Sequence, residues 1–145
     1  MALKTFAAIS IGSAVTEMKI FEFTSRRVMK EVDWISTRLG LGLDAYTMGR
    51  ISSRNVEELC RVLRDFARIM DGYKVNAYRA CATSAFRESR NMLILVDYIE
   101  KQTGLTIEVL SNSEQRFIDY QSIASVTTEF ESIIQNPAAI VDIGG

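Results

Sequence analysis

The sequence predicts an α/β fold, a mixed five-stranded sheet with helices on both faces. Near the start of the chain, strand-like segments with alternating apolar and polar residues follow one another with no helix between them. Farther on, segments with helical spacing alternate with short apolar strands, the pattern of βαβ units. The strand-and-glycine-turn stretch Ala7-Ala8-Ile9-Ser10-Ile11-Gly12-Ser13 is also echoed at the far end by Ala138-Ala139-Ile140-Val141-Asp142-Ile143-Gly144-Gly145.

Taken in order, Phe6 to Ile11 reads as the first strand and Thr16 to Phe23 as its hairpin partner. In the partner, apolar Met18, Ile20, Phe21 and Phe23 interleave with Glu17, Lys19 and Glu22; the alternation is clean to Ile20 and slips at Phe21. Arg27 to Ser36 supplies a third strand, which completes an antiparallel meander. Arg38-Leu39-Gly40-Leu41-Gly42-Leu43 reads as a glycine-punctuated loop. Ser52 or Ser53 caps a helix to about Met70, with Val56, Leu59, Cys60, Leu63, Phe66, Ala67 and Met70 on one face, and Asp71-Gly72 stops it. Lys74 to Ala82 is a strand. Arg90 to Gln102 is a helix carrying Leu93, Ile94, Val96, Tyr98 and Ile99, and it ends at Gly104. Leu105 to Leu110 is a strand, and a helix follows from Ser111 to about Val126. Residues 127–137 are a linker or helical extension, and Ala138 to Ile143 is the last strand. The order β-β-β-α-β-α-β-α, with one strand beyond it, resembles that of the ribonuclease-H-like lobe of the actin-like ATPase superfamily.

Composition narrows the function. The chain has 145 residues with 48% hydrophobic and 24% charged content, as a soluble globular domain has. A net charge of −1 and the lack of a Lys/Arg-rich run give no field that would draw it to nucleic acid or membrane. No apolar run is long enough to span a bilayer, and Met1 to Phe6 lacks the features of a signal peptide. Cys60 and Cys81 read as buried free thiols, consistent with the cytoplasm. There is no histidine, so histidine-based catalysis and histidine-ligated zinc are excluded.

The two glycine turns suggest a duplicated phosphate-binding scaffold. A glycine lets backbone N–H groups approach a phosphate oxygen, and successive N–H groups in a turn form an anion-attracting concavity. Each turn is also readable as an ordinary buried strand before a bend. At the far turn, Asp142 stands at the end of a strand, where a carboxylate is hard to explain as packing.

Four stretches together resemble the exopolyphosphatase / guanosine pentaphosphate phosphohydrolase (Ppx/GppA) family. They are the Ala-Ile-x-Ile-Gly-Ser turn at 8–13, Arg38-Leu39-Gly40-x-Gly42, Ala82-Thr83-Ser84-Ala85-Phe86-Arg87-Glu88 with Asn91 beyond, and Val141-Asp142-Ile143-Gly144-Gly145. The third is the most specific. Gly104 to Ser111 also fits. The resemblance implies that residues 1–126 are the first lobe, and that 127–145 are a linker and the first strand of a truncated second lobe. The chain looks like a fragment, expected to be inactive alone because the family's cleft lies between two lobes.

The resemblance also implies roles. Arg87 would hold the polyphosphate chain, its planar guanidinium matching phosphate oxygens; a surface arginine paired with Glu88 or Asn91 is the plainer alternative. Glu114 would activate the attacking water, although Ser111-x-x-Glu114 is a capping box in its own right. Gly12, Ser13, Gly144 and Gly145 would cradle phosphate, and Asp142 would hold Mg²⁺ through water. The ligand would be polyphosphate or guanosine pentaphosphate, with a homodimer left open for the full-length protein. One departure bears on activity. The family has Asp-x-Gly-Ser-Asn-Ser at the first turn, and this chain has Ser10-Ile11-Gly12-Ser13-Ala14-Val15. Thr16 and Glu17 lie close enough in sequence to compensate. Two alternatives to the phosphohydrolase follow: a degenerate binder that senses polyphosphate or an alarmone, and a sugar-kinase-like ATPase, which the Ala82–Glu88 motif disfavours.

Overall fold

The computed structural model describes residues 4–24, 29–126 and 130–142. By its internal contacts the chain divides into two compact units, residues 1–109 and 110–144. The first unit holds a five-stranded sheet of β1 (Lys4–Ile11), β2 (Val15–Phe23), β3 (Met29–Arg38), β4 (Ala77–Ala82) and β5 (Glu108–Val109), in the order β3-β2-β1-β4-β5. β1, β2 and β3 pair antiparallel, whereas β4 pairs parallel with both β1 and β5. The sheet is therefore mixed, as the element order predicts.

Alternation along the strands decides which face is buried. Ala7, Ile9 and Ile11 lie opposite Ile20, Met18 and Thr16 on β2, and Ile9 and Ile11 lie beside Ala80 and Ala82 on β4; all are buried. The intervening Phe6, Ala8 and Lys19 are only half-buried, and Ser10 is exposed. The slip at Phe21 is a β-bulge. Ile20 faces Asp33 while Phe21 faces Glu31, so Val32 is an extra residue on β3.

Six helices lie among the described residues: α1 (Leu41–Met48), α2 (Ser53–Gly72), α3 (Ser84–Arg87), α4 (Met92–Thr103), α5 (Asn112–Val126) and α6 (Phe130–Ile134). Ser52 caps α2 through its side chain, which accepts from Asn55 N. Its stripe Val56, Leu59, Cys60, Leu63, Phe66 and Met70 joins Ala7, Ile9, Met18 and Ile20 in one buried cluster. The helix ends at Gly72, at the expected Asp71-Gly72 stop. Lys74 takes the left-handed conformation (φ 52°), with Lys74 N–H donating to Asp71 O and Val75 N–H to Met70 O. This is a Schellman ending in which a lysine fills the place that usually goes to glycine.

Other boundaries also shift. The expected loop at Arg38–Leu43 leads into α1 after Gly40, whose φ of 64° suits a residue without Cβ. On α4, Leu95 and Ile99 face the core, while Leu93 and Ile94 are exposed. The strand expected from Lys74 begins only at Ala77. The strand expected over Leu105–Leu110 shrinks to Glu108–Val109, because only Cys81 and Ala82 of β4 are paired with it. In the second unit, α6 occupies part of the expected linker, and Tyr120 meets Phe130 edge-on, with ring centroids 5.2 Å apart. Residues 138–142 form no strand, since no described segment pairs with them, and Ile140 and Val141 are exposed. Ile143, Gly144 and Gly145 lie outside the described residues.

Candidate functional site

Three segments of the first unit converge where β1 ends. The first turn, Gly12-Ser13-Ala14, closes the β1–β2 hairpin: Gly12 N–H donates to Val15 O at 2.9 Å. The entry to α1 docks onto that turn, with Leu39 and Gly40 N–H both donating to Ala14 O and Gly42 N–H donating to Ser13 O at 2.7 Å. The β4–α3 corner is tied on by Thr83 N–H to Ile11 O at 3.2 Å. A Cβ on Gly42 would stand 2.7 Å from Ser13 Cβ and 2.9 Å from Tyr46 Cε2, so glycine here permits a close approach. Gly12 thus spends its N–H within the hairpin, and Ser13 contributes a hydroxyl.

The buried hydroxyl of Ser13 lies 2.8 Å from Tyr46 Oη and 2.8 Å from Ser84 Oγ, and Tyr46 Oη donates to Ser84 Oγ at 2.9 Å. The three oxygens form a closed triangle that links the first turn, α1 and α3. Sequence reasoning did not select Tyr46 or Ser84. Ser84 lay inside the most specific motif, but Tyr46 carried no signal because α1 read as the end of a loop.

Much of that motif is structural. Ala82, Ala85 and Phe86 are fully buried, and Ser89 Oγ donates to Ala85 O at 2.6 Å. Asn91 clamps a neighbouring backbone: its Oδ1 accepts from Ile51 N, and its Nδ2 donates to Ile51 O at 3.0 Å. Arg90 donates to the carbonyls of Met48 and Gly49 at the end of α1. Asp44 Oδ2 accepts from Ser52 N and Asn55 Nδ2. Burial pushes the Asp44 carboxyl up, but these hydrogen bonds outweigh it and hold the group below its ordinary value. Arg87 closes α3 with its side chain half-buried, at the same corner as Ser84.

At position 10 the register separates the two residues considered as substitutes for the missing acid. Thr16 pairs with Ile11 and is fully buried on the core face. Glu17 lies directly across from Ser10 on the same face, and its carboxylate accepts from Trp34 Nε1 at 2.9 Å.

In the second unit, Glu114 forms the capping box that its spacing suggested: Ser111 N–H donates to Glu114 Oε2 at 2.8 Å and Glu114 N–H to Ser111 Oγ at 3.2 Å. Asp142 is exposed. Asp119 is pushed above its ordinary value by burial and then by the negative charge of Asp142. No cluster of three or more acidic or cysteine side chains able to hold a metal occurs among the described residues. No helix there is long and apolar enough to cross a membrane.

Residues 20–145 match the Ppx/GppA phosphatase family. The fold matches the crystal structure of the Aquifex aeolicus member of the Ppx/GppA protein family with a TM-score of 0.80 and 24% identity, over 85% of this chain and 40% of that one. An exopolyphosphatase-like protein matches at TM-score 0.72 and 27% identity, over 80% of this chain and 35% of that one. An exopolyphosphatase from Cytophaga hutchinsonii matches at 0.71 and 24%, over 76% and 35%. The chain thus spans about two-fifths or less of the length of these structures. None of the curated proteins matches it.

Proposed function

Because the chain belongs to the Ppx/GppA phosphatase family, we propose that it carries part of the phosphate-binding machinery of a phosphohydrolase. The whole protein would release terminal phosphate from inorganic polyphosphate or guanosine pentaphosphate. The observation that supports this most is the convergence of the first turn, α1 and the Ser84–Arg87 corner at one end of the sheet. In this proposal Arg87 grips the phosphate chain through its guanidinium, and Ser13 offers a hydroxyl. Glu114 would orient the attacking water, which requires it to leave or share its capping-box bond.

Asp142 would hold Mg²⁺. An exposed single carboxylate suits a cation that keeps most of its water and takes its other ligands from substrate phosphates. The neighbouring charge felt by Asp119 is the kind of repulsion that a cation relieves. When bound, Mg²⁺ would neutralise charge on the phosphates. Gly144 and Gly145 would add backbone N–H donors.

A non-catalytic binder of polyphosphate or an alarmone is the second proposal. Ser10, Ala14 and Val15 favour it, as does the Gly12 N–H already committed to Val15 O. Phosphate release from polyphosphate, guanosine pentaphosphate and ATP by the whole protein separates the proposals. The phosphohydrolase predicts release from one of the first two, reduced at least tenfold by Arg87→Ala. Tight polyphosphate binding with no release indicates the sensor, and release from ATP alone defeats both.

A further inference from the structure

We propose that the groove between α2 and α4 docks a short amphipathic helix of a partner protein, apolar along one face and acidic at one end. The groove holds about 350 Å³ and is lined by the buried Ile51, Val56 and Leu95 and the exposed Ile94 and Tyr98. Leu95 and Ile99 already turn α4 to the core, yet its neighbours Leu93 and Ile94 are 77% and 73% exposed. Scattered apolar side chains on a surface are ordinary, but a contiguous set beside a groove marks an interaction site. The groove runs along α4 from Asn91 to Tyr98, about two helical turns. Its walls are helices, whose interior backbone groups are paired within each helix, so an extended segment would find few main-chain partners there. A helix brings its own backbone bonds and offers side chains three and four positions apart as anchors.

Charge decides the kind of helix. Met48, Arg50, Arg90 and Ile94 frame the end of the groove where α2 and α4 begin, and no acidic side chain among the described residues lines that end. Arg50 and Arg54 are exposed, and among the described residues neither side chain has an ion-pair or hydrogen-bond partner. Arg90 gives only part of its guanidinium to the carbonyls of Met48 and Gly49. Neither helix has an acidic residue in its first turn, and the nearby Asp44 carboxylate is engaged by Ser52 N–H and Asn55. Glu57 is the one acid that lines the groove, a turn farther along. Partner carboxylates at the arginine end therefore meet unpaired charge, which orients the helix and speeds its docking. A second copy using this same face would bring arginines rather than an excess of carboxylates. A bare polyanion would engage the arginines and leave Leu93, Ile94 and Tyr98 uncovered.

The probe is a phage-displayed library of helical peptides about four turns long, panned against the whole protein, with the selected peptides then titrated by fluorescence anisotropy. They should carry Asp or Glu at one end and Leu, Ile or Phe three and four positions apart. Ile94→Asp should weaken their binding at least tenfold. Arg50→Glu should do the same at low salt, with a smaller effect at high salt. Both positions are exposed, so the melting temperature of each variant should stay within about 2 °C of wild type. Failure to select any peptide, or selection of peptides indifferent to Ile94→Asp, overturns the proposal. A melting temperature lowered by Ile94→Asp shows that the rest of the whole protein covers this face, and also overturns it. So does self-association that Ile94→Asp abolishes, which makes a second copy the occupant. Inorganic polyphosphate that binds here, weakened by Arg50→Glu and untouched by Ile94→Asp, assigns the arginines to a polyanion and defeats the docking site. None of these outcomes bears on the phosphohydrolase reading, which uses other residues.

Discussion

Single side chains at the converging corner carry consequences that can be measured one at a time. Asp44 accepts two hydrogen bonds that join α1 to the start of α2, and its carboxyl sits below its ordinary value of 3.8. A group with a depressed folded value contributes stability that is present above its unfolded value and lost as pH falls through the folded one. Asp44→Asn keeps an acceptor for both donors but removes the charge. Wild type should therefore exceed the variant in denaturant stability at neutral pH, and the difference should close as pH drops below about 4. A gap that is constant from pH 7 to pH 3 would refute the assignment. At position 10, a carboxylate introduced by Ser10→Asp would face Glu17 across the hairpin. Like charges directly opposite destabilise by about 0.2–1 kcal/mol. The variant's melting temperature should fall without divalent cation and recover in millimolar Mg²⁺, and phosphate release by the whole protein should rise. No recovery would mean that this end of the sheet does not share a cation.

At the level of elements, α2 contributes seven buried residues to the core of the first unit. Its buried stripe spans the core face of the sheet, and Leu63 and Leu59 at its centre are fully buried. Leu63→Ala should cost roughly 2–5 kcal/mol from lost burial and the cavity left behind. Equilibrium denaturation reads this directly, and a stability within 1 kcal/mol of wild type would mean that the neighbouring side chains collapse into the space. The stripe was legible in the sequence because seven apolar positions recur at helical spacing. α1 was not legible: its start at Gly40 and its buried Gly42 look like loop chemistry until Ser13 and Tyr46 are seen to demand a side chain as small as hydrogen. Neither was the exposure of Leu93 and Ile94 on α4, because a helical face is apolar in sequence whether or not anything covers it.

For the molecule as a whole, family membership stands on residues 20–145, while the chain spans about 40% or less of the structures it matches. The Ppx/GppA resemblance implies a cleft between two lobes, so residues 1–145 alone are expected to release no phosphate from polyphosphate. Release above a buffer blank, abolished by Arg87→Ala, would overturn that expectation and make residues 1–145 sufficient for chemistry.

Periodicity and motif spacing were enough for the meander, the α2 stripe, the slip in alternation at Phe21, the capping box at Ser111–Glu114 and the family itself. These are local properties, written in residues a few positions apart. The triangle of Ser13, Tyr46 and Ser84, the separation of Thr16 from Glu17 across the two faces, and the scaffold role of Asn91 were decided by the tertiary structure. Each joins positions far apart in the chain or depends on which face of a strand meets the core. Sequence distance does not encode such contacts; sheet register and helix docking do.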